Sequence, residues 1–341
     1  MTATYLTITD AERILARVPM LTVGVLGDLF LDRYLDIDPA LTEPSLETGL
    51  DAYQVTGVRS CPGAAGTVIN NLVGLGVKEV CAIAVIGADG EGYELVQALD
   101  QQHVSSRWLF REPSRRTPTY TKPMLGGREL NRLDIKNRSQ LPASAEDAIL
   151  SSLVELWPRL DALIVVDQVS EADCGVVTAT VRNRLAELGA ENPQRLILAD
   201  SRERIGKFRC VWLKPNQREC VQAVPGELAD GVRTLALQCG RPVFCTQGEK
   251  GMLVIDPRTD PCGEWSIPAV SVSGPIDPVG AGDSVSAALA CALAAGASSA
   301  QAAAFANIVA SITIRQIGTT GTASPEQIRN TVRDLWPACV P

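Results

Sequence analysis

The chain has 341 residues, 46% of them hydrophobic, which is ample for a large core. Its formal net charge of −8 repels nucleic acid and anionic membrane, so neither is expected as a partner. His103 is the only histidine, which excludes a multi-histidine metal site and leaves any Ser-His-Asp or Cys-His nucleophile resting on one turn-like residue.

In chain order, strand-like apolar runs alternate with helical periodicity. Strands are expected over 22–26, 80–86, 162–166, 195–199, 211–213, 243–246, 252–255 and 269–272. Helices are expected over 65–75, 92–101, 145–156, 176–188, 282–295, 299–312 and 325–335. The alternation predicts an α/β fold, a doubly wound, mostly parallel sheet flanked by helices, with ligands beyond the carboxyl ends of its strands. Two segments break the rhythm. One is 33–60, looped around Pro39 and Pro44 with a short strand over 52–58. The other is 104–135, where 117–121 alternates like an exposed strand. They are expected to form one small antiparallel β lid, inserted in a single domain spanning 1–341. An exposed strand lid pairs readily with a second copy, so a homodimer through the lid is expected. The longest apolar stretch, 285–297, is too short to cross a bilayer, and the first twenty residues lack an apolar export core. The ten cysteines include no Cys-x-x-Cys pair and read as reduced core thiols, which points to the cytoplasm.

The segment Asp277-Pro278-Val279-Gly280-Ala281-Gly282-Asp283 delivers the chain into a long Ala-rich helix. Unpaired first-turn amides and the helix dipole make such a turn an anion hole for a phosphoryl group in transfer. Asp283 at the same place can take the proton from an attacking hydroxyl, although Asp is also a favoured helix cap. Thr246-Gln247-Gly248-Glu249-Lys250-Gly251 follows a strand and suits either a nucleotide-phosphate turn or a plain hairpin. Asn216 and Glu219, three apart, share a helical face and can hold Mg²⁺ with its waters, or form a capping box. Asp28 and Asp32 leave the first strand where they could grip sugar hydroxyls, or simply shape a turn. Pro62-Gly63-Ala64-Ala65-Gly66 enters a helix with small residues, for a ligand or for packing. A Gly-x-x-x-x-Gly-Lys-Ser/Thr loop, a Gly-x-Gly-x-x-Gly turn after the first strand and protein-kinase signatures are all absent.

Together these segments resemble the PfkB/ribokinase-like carbohydrate kinases over nearly the whole chain. Within that family the segments 27–34, 130–134 and 317–322 look most like the bacterial heptose-phosphate kinase branch. The resemblance implies Asp283 as base and the backbone of Gly280, Ala281 and Gly282 as anion hole. It implies ATP and Mg²⁺ arranged by Asn216 and Glu219, a nucleotide loop at Thr246, Gly248 and Gly251, and Asn307 at the adenine pocket. Asp28, Asp32, Gly63, Ala64, Gly66 and Arg132 would face the sugar. Asp277 and the 317–322 loop lie where many members bind a monovalent cation such as K⁺. The chain departs from the family pattern at Pro62, Gly66 and Pro278, where Gly, Asn and Thr are usual.

The lid segment adds Arg107, Arg111, Arg115, Arg116, Lys122, Arg128, Arg132, Lys136 and Arg138 to an otherwise acidic chain. That charge would attract a sugar already bearing a phosphate, or it is a solvated strand face. The expected activity is phosphorylation of a sugar or sugar-phosphate hydroxyl by ATP. The alternatives are a nucleoside kinase, opposed by the few aromatics near the lid, and a non-catalytic sugar-phosphate sensor, opposed by Asp283, Asn216 and Glu219.

Overall fold

The computed structural model describes residues 5–335. The chain starts with α1 (Ile8–Arg17) and enters a nine-stranded sheet through β1 (Thr22–Gly27). It leaves at once as a long hairpin, β2 (Leu29–Pro44) and β3 (Asp51–Ala64), and returns through α2 (Ala65–Gly74) to β4 (Glu79–Gly87). After α3 (Gly90–Gln101) and β5 (Leu109–Glu112) it goes out again to β6 (Thr119–Leu125), β7 (Arg128–Glu129) and β8 (Leu133–Ile135). Next come α4 (Ala143–Leu156), β9 (Ala162–Asp167), α5 (Ala179–Glu191), β10 (Leu196–Ser201) and β11 (Trp212–Leu213). These are followed by α6 (Gln217–Ala223), α7 (Leu228–Cys239), β12 (Val243–Thr246), β13 (Met252–Asp256) and β14 (Gly263–Ile267). The described chain closes with α8 (Ala281–Ala294), α9 (Ser299–Thr313) and α10 (Pro325–Leu335).

The main sheet is ordered β14-β13-β12-β11-β10-β9-β1-β4-β5. Strands β12 through β5 pair in parallel, and β13 and β14 add an antiparallel edge. Both faces are buried, so the strands read as continuous apolar runs. In β9, Ala162, Ile164 and Val166 enter a core shared with α2, α8, α9 and α10, while Leu163 and Val165 enter one shared with α4, α5 and α7. Strand order reverses between β1 and β9, the place where a doubly wound sheet opens a crevice. The two strands approach closely there. A Cβ on Gly27 would lie 2.2 Å from the Val166 carbonyl oxygen.

A second sheet, β3-β2-β6-β7 with β8 on β6, forms the lid. It is mixed rather than antiparallel. β2 and β3 are antiparallel, but β2 and β6 run parallel. The reason is topological: β2 continues from β1 and β6 follows β5, and both leave the same edge of a parallel sheet. Pro39 and Pro44 fall within β2, not in a loop: Pro39 lies in a bulge between Asp38 and Glu43, and Pro44 ends the strand paired with Asp51. The strand expected over 269–272 does not form, since β14 is the sheet's edge and ends at Ile267 with no further neighbour. His103 sits in an exposed turn at φ +59. Among the described residues no helix is long and apolar enough to cross a membrane.

Candidate active site

α8 begins where the turn at 277–280 meets the carboxyl ends of the central strands. Gly280 is its N-cap, at φ +80, and a Cβ there would press on Thr320 Cγ2 at 3.1 Å. Conformation and space both require glycine. Of the three amides expected as an anion hole, that of Ala281 donates to the Pro278 carbonyl at 3.1 Å and closes the turn. Those of Gly280 and Gly282 have no partner among the described residues. Asp283, in the first turn, is half-buried beside them.

The electrostatics of this corner come from the ends of β10 and β11. Burial, and then the like charge of Asp200, push the Asp283 carboxyl up to about 7, against the pull of Lys214 and Arg202. Lys214 Nζ lies 2.8 Å from Asp200 Oδ2, with both side chains buried. Burial works most strongly against the Lys214 charge, but Asp200, Glu219 and Asp283 together outweigh it and hold the ammonium above its ordinary range. A Cβ on Gly282 would stand 3.7 Å from that ammonium, so Lys214 lies against the start of α8. Lys214, Asp200 and Arg202 were not expected from sequence. The available signal was a lysine and an aspartate closing otherwise apolar strands.

Asn216 and Glu219 form a capping box at α6. Asn216 N–H donates to Glu219 Oε2 at 2.8 Å, and Glu219 N–H donates to Asn216 Oδ1 at 2.9 Å. Glu219 Oε1 and Asn216 Nδ2 keep no partner among the described residues, so the cap and a ligand-facing role coexist. Burial and Asp200 push Glu219 up to about 7 as well. Thr246, at the end of β12, pairs across to Asn216. Asp283, Gly280, Gly282, Lys214, Asn216, Glu219 and Thr246 share one cavity of about 590 Å³ with Arg202 and Gln168. Among the described residues no group of three or more His, Cys, Asp or Glu could hold a metal ion. The free Glu219 carboxylate oxygen fits Mg²⁺ that keeps waters and phosphate oxygens as its other ligands, and the Asn216 NH2 can donate to one of those waters or phosphate oxygens.

Other expected residues are placed differently. Gly248 (φ +59) and Gly251 (φ +93) shape the hairpin turn between β12 and β13 rather than line the cavity. A Cβ on Gly251 would strike the Ile267 carbonyl oxygen at 2.1 Å. Asn307 donates to the Ile267 and Pro268 carbonyls at 3.2 and 3.0 Å, which ties α9 to β14 with its amide. Asp28 does not offer itself as a sugar grip. Buried, it accepts backbone N–H bonds from Gln168, Val169 and Val176 at 2.9, 3.1 and 2.7 Å. Burial and nearby Asp167 raise its carboxyl to about 6, against those three amides. Gly66 faces the Pro62 ring, where a Cβ would meet Pro62 Cβ at 2.3 Å. The two departures from the family pattern therefore compensate: the Pro62 ring fills the space in which an Asn at 66 would start.

Asp32 stays accessible and pairs with Lys122 at 3.2 Å on the lid. Gly63 lets it sit there, since a Cβ on Gly63 would lie 2.8 Å from Asp32 Oδ2. Ala64 caps α2 at φ +53, a conformation L-residues rarely adopt. Asp277 and the 317–322 loop do come together: Asp277 accepts from Val279 N–H at 3.1 Å and Gly318 N–H at 3.0 Å. The basic residues of the lid segment divide. Arg107 and Arg116 form surface ion pairs, and Arg115 is buried against the carbonyls of Ser139, Gln140 and Cys174. Lys122 lies 4.7 Å from the centre of the Tyr34 ring, and Arg132 and Lys136 lie 4.1 and 5.5 Å from that of Tyr120. Arg132 also grips Asp134 with two bonds.

Residues 30–327 match the family model described as pfkB family carbohydrate kinase. The chain is 29% identical over 333 residues to the bifunctional protein HldE of Citrifermentans bemidjiense, covering 94% of this chain and 65% of that protein. It therefore spans about 65% of the length of that relative. A ribokinase from Thermotoga maritima superposes with a TM-score of 0.66 at 17% identity, covering 92% of this chain and 99% of that one. A putative ribokinase II from E. coli in complex with ATP and Mg²⁺ superposes with a TM-score of 0.65 at 16% identity, over 92% of this chain and 99% of that one.

Proposed function

We propose, since the chain belongs to the pfkB family of carbohydrate kinases, that it transfers the γ-phosphoryl group of ATP to a hydroxyl of a sugar or sugar phosphate, with Asp283 as general base. One observation carries this reading: a carboxyl near neutrality and two unpartnered amides meet at the start of α8 inside a cavity of nucleotide size. The acceptor hydroxyl gives its proton to Asp283 as its oxygen attacks the γ-phosphorus. The bond to the β-phosphate oxygen breaks and ADP leaves with the electron pair. The amides of Gly280 and Gly282, with Lys214 beside them, face the oxygens on which charge spreads. Asn216 and Glu219 would hold Mg²⁺, which neutralises phosphate charge when bound. Asp32 and Gly63 face the acceptor from the lid, and Thr246 faces the nucleotide. K⁺ is proposed near Asp277, where it would share the carboxylate with two amides.

The resemblance to the heptose-phosphate kinase branch and the likeness to HldE support a heptose phosphate as acceptor class. The nucleoside reading draws on Phe30, Tyr34 and Tyr120, more aromatics at the lid than the sequence suggested. Their faces oppose it: Arg59 and Lys122 cover Tyr34, and Arg132 covers Tyr120, which leaves little open ring for a base. The lid also supports a homodimer. Beyond Ile37, β2 loses β6, and the two-stranded tip exposes Leu41, Leu46, Leu50, Tyr53 and Val55. The deciding experiment is phosphate transfer from labelled ATP to a panel of sugars, sugar phosphates and nucleosides. Transfer to a sugar or its phosphate supports the reading, and transfer to nucleosides alone sinks it.

A further inference from the structure

None of the residues lining the nucleotide-sized cavity comes from the lid, so what holds the lid in place bears on the acceptor and not on ATP. Both excursions that build the lid are tied to one helix, α3. Its N-cap, Asp89, accepts from Gly92 N–H at 2.8 Å and from Thr117 N–H and Oγ1 at 2.9 and 2.7 Å, which fixes the approach to β6. Further along, Glu94 reaches the other excursion. One of its carboxylate oxygens accepts from Arg33 Nη2 on β2, and the other accepts from Ser60 Oγ on β3 at 2.8 Å. The helix is a fixed post, with Leu95 and Leu99 fully buried.

Arg33 and Ser60 are directly opposed across the hairpin, so a single carboxylate clasps both strands at one rung. Neighbouring rungs face opposite sides of a sheet, and the next rung, Asp32 with Cys61, therefore turns away from α3. Asp32 stands within electrostatic reach of the base: after burial and Asp200, its charge also pushes Asp283 up. The clasp is half-buried, and Arg33 Nε is buried with no partner among the described residues, so water only partly replaces the carboxylate when it is lost. Outward of Ser60, the hairpin's side chains bond within the lid among the described residues: Arg59 to Asp36, Thr56 to the Asp36 carbonyl and Gln54 to Glu43. Glu94 thus makes the outermost of these bonds between the hairpin and the main body.

The geometry points to Glu94 as a positioning residue for the acceptor: by clasping both strands of the hairpin from α3, it fixes where Asp32 is presented to the site. This rests on the kinase reading above and adds what holds the acceptor side of the site in register with the base. Without the clasp the hairpin pivots about its root, and the population with Asp32 in place falls. Apparent acceptor affinity falls by the same factor, while the nucleotide cavity keeps its walls.

The test has two arms. In the first, turnover is measured for the wild type, Glu94→Ala and Glu94→Gln, with ribose, fructose 6-phosphate and sedoheptulose 7-phosphate as acceptors. Glu94→Ala should raise KM for whichever of these is phosphorylated about fivefold or more while KM for ATP holds. Glu94→Gln keeps an acceptor oxygen and should lose less. An unchanged acceptor KM, or an equal rise in KM for ATP, overturns the assignment and leaves the kinase reading standing. The second arm needs no acceptor. Amide hydrogen exchange is followed at the root of the lid, where Leu31 N–H donates to the Pro118 carbonyl at 2.8 Å and Ala65 N–H to the Asp28 carbonyl at 3.1 Å. Glu94→Ala should speed exchange there about fivefold or more and leave β9 unchanged, and this result supports the clasp even if none of the three acceptors is phosphorylated. Root exchange that stays the same, or β9 exchange that rises as much, overturns it.

Discussion

A carboxyl can act as a base only when it is ionised, and Asp283 is pushed up to about 7 by burial and Asp200. Turnover should therefore fall as pH drops through about 7, and a kcat/KM profile checks this. Asp283→Asn should cut kcat by about 10²- to 10⁴-fold while nucleotide binding persists. The same group carries a stability signature. Its folded value lies above the ordinary 3.8, so its proton-linked stability is complete below about 3.8 and gone above about 7. Asp283→Asn should raise Tm at pH 8 and change it little at pH 4, as a pair of melting curves would reveal. Lys214→Met tests the neighbouring pair: it strands Asp200, should cost about 3–5 kcal/mol, and should shift the activity profile to higher pH. An unshifted profile would detach Lys214 from the base. Asp283 was legible in the sequence because a Gly-rich turn before a helix is a local pattern. Lys214, Asp200 and Arg202 were not, because their meaning depends on the ends of β10 and β11 lying beside the start of α8.

At the scale of elements, the start of α8 separates two kinds of glycine. Gly280→Ala should destabilise by about 1–2 kcal/mol, since it forces a left-handed residue and a 3.1 Å contact with Thr320. Gly282→Ala has space and ordinary backbone, so Tm should hold while kcat falls, because the methyl stands between Lys214 and the phosphoryl group. Equal losses of stability in both would refute that division. The lid makes its own prediction. The exposed apolar tip of β2 and β3 should give a dimer by light scattering, and replacing Leu46 and Leu50 together by Ser should yield monomers. Here the sequence misled in instructive ways. Two prolines in the hairpin signalled a loop, but a bulge took Pro39 while Pro44 paired with Asp51, and the parallel pairing of β2 with β6 depends on where two distant excursions begin. α1, α6 and α7 were not expected from sequence, and α6, only seven residues long, carries little periodicity.

For the whole molecule, Mg-ATP should stabilise by mass action, about 2.7 kcal/mol at a hundredfold excess over Kd, and thermal melting would register it. Sequence by itself determined the parallel sheet, its helical cover and the Gly-rich turn that sets Asp283 at the start of α8, because hydrophobic periodicity and glycine turns are local and each strand core is buried on both faces. The tertiary structure alone decided that Asp28 holds the amides of Gln168, Val169 and Val176, that Pro62 and Gly66 fit one another, and which cation of the lid segment, Arg115, is buried. Those outcomes depend on which atoms share a volume, and strand order, not residue spacing, brings the ends of β1, β9, β10 and β11 to one crevice.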